Sequence, residues 1–189
     1  MAPLTPEQVR LSRRLSKVLR HAPETVGLTL DEQGWTPVTT LLDALSAHGT
    51  RVTPDQLEAV VAGNDKSRFA VATGPDGVQR IRASQGHSRR VAVDLGLAPA
   101  QPPETLFHGT PAVNLPSITA GGLLPGRRHH VHLSVDVSTA ARVGRRRSGD
   151  VVVLRVAART MAAAGHVFHL SENGVWLTAH VPPAFLTRA

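Results

Sequence analysis

A proline-rich break at residues 99–103, Pro-Ala-Gln-Pro-Pro, divides the chain into two halves with different residue patterns. Before the break, apolar residues recur at the spacing of helices, and after it they form the short runs typical of strands. A segment rich in proline and poor in side chains that pack is typical of a linker. We therefore predict an α+β fold with two lobes, residues 1–98 and 104–189, joined by a linker at 99–103.

The first half has the pattern of three helices followed by two strands. Thr5, Pro6 and Gln8 form a capping signal for a first helix, which Pro23 should end because it disfavours helical geometry in the residue before it. The other predicted elements are helices at 38–48 and 54–63 and strands at 68–73 and 78–83 around a Gly-Pro-Asp-Gly turn. Three helices and a β-ribbon indicate a winged-helix lobe, which commonly binds nucleic acid, although a fold alone does not establish function.

The second half is dominated by short apolar strands. These are predicted at 105–108, 131–134, 151–156, 167–170 and 175–181, with helical segments at 112–120 and 136–143 between them. We expect a second lobe built mainly on its sheet.

The net charge and the absence of cysteine limit which partners and which kinds of active site the protein can have. The chain has a formal net charge of +7, which suits a polyanion such as nucleic acid as partner. It has no cysteine, which excludes disulfides, thiol nucleophiles and zinc bound by thiolates. No signal peptide and no run of about 18 apolar residues is present, so we expect a cytoplasmic protein with no membrane partner.

Several polar residues are candidates for catalysis or ligand binding, and each also has an ordinary structural explanation. Arg20 and His21 stand at the end of the first helix, where the helix dipole alone favours cations. Arg68 begins a predicted strand and is equally well explained as a solvated strand end. Phe107-His108-Gly109-Thr110 closes a strand with small residues, which either lets a ligand approach the backbone or forms an ordinary turn.

Two further groups of residues are candidates for metal and phosphate binding. His130 and His132 share one face of a predicted strand, but a zinc site needs a third ligand and no cysteine is available. The other close pair, His166 and His169, does not share a strand face, so no metal is predicted. A basic run follows a predicted helix, and a solvated surface and a phosphate clamp both account for it. The run consists of Arg142, Arg145, Arg146 and Arg147.

In combination, these segments resemble one known family. The matching segments are 15–23 (LSKVLRHAP), 27–31 (GLTLD), 34–35 (GW), 66–69 (KSRF), 81–88 (IRASQGHS), 107–110 (FHGT), 130–134 (HVHLS) and 171–178 (SENGVWLT). They occur in the order found in the RNA 2′-phosphotransferases, also called tRNA 2′-phosphotransferases, and span nearly the whole chain. The chain is therefore identified as resembling an RNA-processing enzyme of the kind used in tRNA splicing.

The resemblance implies a fold and a set of site residues. It implies a winged-helix RNA-binding lobe followed by an ADP-ribosyltransferase-like lobe that binds NAD. The implied catalytic set is Arg20, His21, Arg68 and Arg128, where Arg127 is the neighbouring alternative to Arg128. The implied NAD-binding residues are His108, Gly109, Thr110, His132, Ser134 and Arg146. Arg147 pairs with Arg146 in the matched segment, although Ser148 stands where glycine is usual.

The resemblance also implies a reaction. An internal 2′-phosphate of RNA is transferred to NAD through an ADP-ribosylated RNA intermediate, giving 2′-hydroxyl RNA, nicotinamide and ADP-ribose 1″,2″-cyclic phosphate, without a metal. The partners are RNA with a 2′-phosphate and NAD as co-substrate. Two alternatives stay open: an ADP-ribosyltransferase with another acceptor, such as a nucleic-acid phosphate end or a protein, and a catalytically silent RNA-binding module.

Overall fold

The computed structural model describes residues 4–63, 67–146 and 149–189. Helices and antiparallel sheets are both present, which confirms the α+β class. The chain divides into two compact units, Met1–Gly96 and Leu97–Ala189.

The first unit begins with helix α1, Pro6–Arg20. Its predicted start is confirmed: the Thr5 hydroxyl accepts from the Gln8 backbone N–H at 3.2 Å, and the Gln8 side chain accepts from the Thr5 N–H at 2.9 Å. His21 caps the other end, so the helix ends before Pro23, as predicted. A short 3₁₀ helix follows at Pro23–Val26. Helices α2, Val38–Ala47, and α3, Pro54–Ala62, complete the helical layer.

A three-stranded antiparallel sheet closes this unit. Strands β2, Phe69–Thr73, and β3, Gln79–Ala83, form the predicted hairpin, with Phe69 opposite Ala83 and Thr73 opposite Gln79. Strand β1, Thr36–Pro37, pairs with the other edge of β3 and was not predicted, because two residues give no recognisable period. One apolar core joins the helices to the sheet, with Leu15, Leu19, Leu41 and Ile81 fully buried.

Trp35 and Arg82, two residues of the matched segments, pack against each other in the first unit. The Arg82 guanidinium lies 4.5 Å from the centre of the Trp35 ring, and Arg82 also donates to the carbonyl of Gln33 at 3.4 Å. Arg82 is only 7% exposed, so the cation–π contact stabilises a desolvated charge.

The second unit contains two three-stranded antiparallel sheets. One has the order β4-β6-β9, formed by Leu106–Pro111, Val151–Val156 and Leu186–Arg188. The other has the order β5-β8-β7, formed by Val131–Leu133, Trp176–Thr178 and Phe168–Leu170. A bridge between Phe107 and Ser134 connects them.

Three helices pack around these sheets. They are α4, Leu115–Gly121, α5, Val137–Gly144, and α6, Ala158–Ala163. Helix α6 and strand β9 were not predicted, because each is too short to show a period in the sequence. The described helices include none that is long and apolar enough to cross a membrane.

The sequence predicts a linker at 99–103, and the structure shows that its first residues pair with the second unit. Pro99 forms an antiparallel bridge with His169, and the Ala100 N–H donates to the carbonyl of Phe168 at 2.8 Å. Pro99 lacks an N–H, which suits it to the edge of a sheet. The division between the units falls just before this pairing, after Gly96.

Candidate functional site

Two of the arginines singled out in the sequence lie side by side in the first unit. Arg20 is the last residue of α1, and Arg68 directly precedes β2. The Arg20 Nη2 group donates to the Arg68 carbonyl at 3.2 Å, across 48 positions of sequence. The hydrogen bond is partly buried, so the two residues are held together by the fold.

Ser84 forms hydrogen bonds with the backbone at Ser67 and Arg68. It follows β3, is 3% exposed, and donates from its hydroxyl to the Ser67 carbonyl at 2.7 Å. Its N–H donates to the Arg68 carbonyl at 3.0 Å, the same oxygen that Arg20 contacts. Through these two hydrogen bonds, Ser84 holds the backbone of Ser67 and Arg68 in place.

The backbone at Ser67 is strained. Its φ is +39°, which makes it the one residue other than glycine with a positive φ among the described parts of the chain. A left-handed conformation costs a residue with a Cβ roughly 1–2 kcal/mol. The hydrogen bond from the buried Ser84 hydroxyl offsets this cost. The role of Ser84 was not predicted, because the sequence does not reveal backbone strain.

The end of α1 is fixed from the same segment. The Ser88 N–H donates to the Arg20 carbonyl at 2.8 Å, which satisfies one of the acceptors that a helix end leaves open. His21 is the C-cap residue of α1 and is exposed. Arg20, His21 and Arg68 thus belong to one local arrangement organised by residues 84–88.

In the second unit, three of the predicted NAD-binding residues are brought together. The backbones of Phe107 and Ser134 exchange two hydrogen bonds of 2.8 Å, which sets β4 beside the end of β5. His108 Nδ1 donates to the His132 carbonyl at 3.0 Å, and His132 Nδ1 donates to the His130 carbonyl at 2.9 Å. Because a carbonyl only accepts, both rings have a proton on Nδ1, and in the neutral form of such a ring Nε2 is an acceptor.

Gly109 is required by helix packing. A Cβ added there would lie 1.9 Å from the Ala140 carbonyl oxygen of α5, and Gly144 packs against the same backbone. Close packing against α5 is thus one reason for the missing side chain, and the role of Gly109 in binding a ligand stays a prediction. Thr110 is 4% exposed, and its hydroxyl accepts from the Asn114 amide at 3.0 Å.

Helix α5, which backs Gly109, begins at a strong N-cap. The Ser138 hydroxyl and the Thr139 N–H donate to the Asp136 carboxylate at 2.6 and 2.7 Å. These hydrogen bonds lower the pKa of Asp136 from 3.8 to about 2, because both stabilise the charged form.

The remaining predicted arginines are exposed. Arg127 and Arg128 lie in a turn, where the Arg128 N–H donates to the Pro125 carbonyl at 3.2 Å. Arg146 follows α5, and its N–H donates to the Val143 carbonyl at 3.2 Å. Arg147 lies outside the described residues.

The histidines of the second unit do not form a metal-binding group among the described residues. The rings of His130 and His169 pack edge to face with their centres 5.9 Å apart. Within residues 4–63, 67–146 and 149–189, no three histidine, aspartate or glutamate side chains are grouped so that they could hold a metal ion.

Comparison with known proteins identifies close relatives. Residues 6–180 match the model of the family described as RNA 2′-phosphotransferase, Tpt1 / KptA family. The chain is 56% identical over 182 residues to a probable RNA 2′-phosphotransferase of Streptomyces griseus, covering 94% of this chain and 95% of the relative. It is 57% identical over 178 residues to that of Streptomyces coelicolor, covering 94% and 93%, and 52% identical over 178 residues to that of Pseudomonas aeruginosa PAO1, covering 94% and 95%.

Proposed function

Because the chain belongs to the RNA 2′-phosphotransferase, Tpt1 / KptA family, we propose that it removes an internal 2′-phosphate from RNA by transferring it to NAD. The observation that supports this most directly is the hydrogen bond that holds Arg20 beside Arg68. This bond joins the Arg20 guanidinium to the Arg68 backbone, and two neighbouring arginines suit a dianionic phosphate, which arginine binds through two oxygens at once.

The architecture of each unit supports a separate role for it in this reaction. In the first, three helices precede an antiparallel ribbon, and we assign it as a winged-helix lobe that binds the RNA. In the second, two small antiparallel sheets joined at the Phe107–Ser134 bridge support an ADP-ribosyltransferase-like lobe that binds NAD. NAD is a substrate in this scheme.

The proposed first step needs no general base. The RNA 2′-phosphate has a second pKa near ~6 and is largely dianionic at neutral pH. One of its oxygens attacks C1″ of the nicotinamide ribose, and the bond to nicotinamide breaks with its electron pair on the departing nitrogen. Arg20 and Arg68 orient the phosphate for this attack, and a site built from arginine and histidine without a catalytic carboxylate suits such a nucleophile.

In the proposed second step, the ribose 2″-hydroxyl attacks the same phosphorus and the bond to the RNA 2′-oxygen breaks. The hydroxyl loses its proton, and the departing 2′-oxygen gains one. Arg20, Arg68 and Arg128 stabilise the charge on the crowded phosphorus centre, a contribution commonly worth about 3–4 kcal/mol for a positioned donor. His21 is the member of the set that exchanges a proton near pH 7, and we assign it to the leaving 2′-oxygen.

For NAD, we assign His108, His132 and Ser134, which the strand pairing of the second unit brings together. The Nδ1 hydrogen bonds of both histidines fix their ring orientation, so that each Nε2 acceptor suits a ribose hydroxyl donor. Gly109 and Thr110 contribute by placing this strand against α5 and Asn114.

The test is incubation of the protein with an oligonucleotide carrying one internal 2′-phosphate, with and without NAD and with excess EDTA. We expect release of the phosphate from the RNA only with NAD, undiminished by EDTA, with equimolar nicotinamide. Chelation that abolishes activity, restored by a divalent ion, would contradict the metal-free scheme. ADP-ribose that stays attached to a phosphate end or to protein would favour a different acceptor, and NAD-independent binding without turnover would favour an RNA-binding module.

A further inference from the structure

Helix α1 has a continuous basic face that ends at Arg20. Its basic residues are Arg10, Arg13, Arg14, Lys17 and Arg20. At 3.6 residues per turn, all five lie within an arc of about 120°. The buried apolar residues of α1 lie on the opposite side, so the basic face points away from the core of the first unit.

Four of these charges, those before Arg20, form no ion pair among the described residues. Arg10, Arg13 and Lys17 are exposed, and in the part of the chain that the structure describes no carboxylate forms an ion pair with them or with Arg14. Glu7, in the first turn, is the only acidic residue of α1. Like charges three and four positions apart destabilise a helix by about 0.2–0.5 kcal/mol per pair, so this pattern weakens the isolated helix. A bound polyanion would remove that repulsion.

One side of this face borders a groove. Arg10 and Arg14 line it together with Arg51 from the turn between α2 and α3. Glu7 and Asp55 line it too, from the first turns of α1 and α3. The two carboxylates partly offset the positive charge of the groove. A polyanion is therefore attracted more strongly to the exposed part of the basic face, outside the groove.

We propose that the basic face of α1 binds the phosphodiester backbone of the RNA strand on one side of the 2′-phosphorylated nucleotide. The inference rests on the proposed function, because Arg20, at one end of the face, is assigned to the 2′-phosphate. With a rise of 1.5 Å per residue, Arg10 is about 15 Å along the helix from Arg20. This length corresponds to about four stacked nucleotides at ~3.4 Å each. The contacts are to phosphates, so they extend the RNA footprint without reading sequence.

The test compares oligonucleotide lengths by fluorescence anisotropy in the absence of NAD. The probes are a labelled trinucleotide with a 2′-phosphate on its central nucleotide, and the same trinucleotide extended by five nucleotides on its 5′ or its 3′ side. We expect one of the two extensions to tighten binding. In Arg10→Gln/Arg13→Gln this gain should fall about ten- to thirtyfold near ~0.1 M salt, and the slope of log K against log salt should decrease by about 1.4, two contacts of about 0.7 each.

The matched control is Arg155→Gln/Arg188→Gln, which removes the same two charges from exposed positions on β6 and β9 of the second unit. It should keep the gain. Glutamine keeps a good helix propensity in α1, and circular dichroism checks the fold. The proposal is overturned if neither extension tightens binding, if Arg10→Gln/Arg13→Gln keeps the wild-type gain, or if both double variants lose it equally. Failure of the proposed function has a different signature: the wild-type protein would release no phosphate from any of the three probes with NAD.

Discussion

Removing the Ser84 hydroxyl tests whether the strained backbone before Arg68 matters for turnover. In Ser84→Ala the carbonyl of the exposed Ser67 loses its 2.7 Å hydrogen bond to the buried Ser84 hydroxyl, a partly buried bond of a kind worth about 0.5–1.5 kcal/mol. The left-handed conformation of Ser67, worth roughly 1–2 kcal/mol of strain, is then free to relax. Relaxation moves the Arg68 carbonyl away from Arg20, so the hydrogen bond that keeps the Arg20 guanidinium beside the Arg68 backbone is weakened.

We expect Ser84→Ala to lower the rate of phosphate release about five- to thirtyfold, since each 1.4 kcal/mol corresponds to tenfold in rate. The effect should fall on kcat and leave KM for NAD unchanged, because the assigned NAD residues belong to the second unit. A general loss of structure would not separate the two constants. Urea unfolding of Ser84→Ala and of Ser171→Ala gives the stability cost for comparison. Ser171 is equally buried, and its hydroxyl bonds the Val175 carbonyl at 2.9 Å, the Val175 N–H at 3.1 Å and the Asn173 side chain at 2.8 Å, so Ser171→Ala sets an upper bound.

The decisive measurement is a double-mutant cycle with Ser67→Gly. Glycine adopts a positive φ without steric cost, so Gly at position 67 keeps the observed conformation without the help of Ser84. Ser84→Ala should therefore slow turnover much less in the Ser67→Gly background, with a coupling of about 1–2 kcal/mol. If Ser84→Ala costs the same in both backgrounds, strain at Ser67 plays no part and the reasoning is refuted.

Three further outcomes are expected. Gly109→Ala should destabilise the second unit by about 1–3 kcal/mol or more in urea unfolding, because the new Cβ meets the Ala140 carbonyl at 1.9 Å, whereas Gly121→Ala, with open space around it, should have little effect. Since folding lowers the Asp136 pKa from 3.8 to about 2, its contribution to stability is complete above about pH 4 and lost as the pH falls to about 2; Asp136→Asn should abolish this part of the pH dependence of thermal unfolding. His21→Ala should still release nicotinamide but accumulate ADP-ribosylated RNA, seen as a slower band on a denaturing gel; equal loss of nicotinamide and final product would reassign His21 to positioning the 2′-phosphate.

Local signals in the sequence determined the elements that begin and end by local chemistry. The capping residues Thr5 and Thr53 start α1 and α3 where predicted, and the Gly-Pro-Asp-Gly turn sets the register of the β2–β3 hairpin. Each of these signals acts between residues that are close in the chain, so they can be read from a single sequence. The same reasoning gave the α+β class and, through the motifs, the family.

Only the tertiary structure decided how the motif residues act on one another. The hydrogen bond from Arg20 to the Arg68 carbonyl and the support from Ser84 join three separate segments, and nothing local in any of them encodes the positive φ of Ser67. Gly109 shows the same limit: the sequence does not reveal that α5 packs so closely against this glycine that a Cβ would meet the Ala140 carbonyl. Such relations depend on which surfaces pack together, because long-range packing overrides what the local sequence prefers.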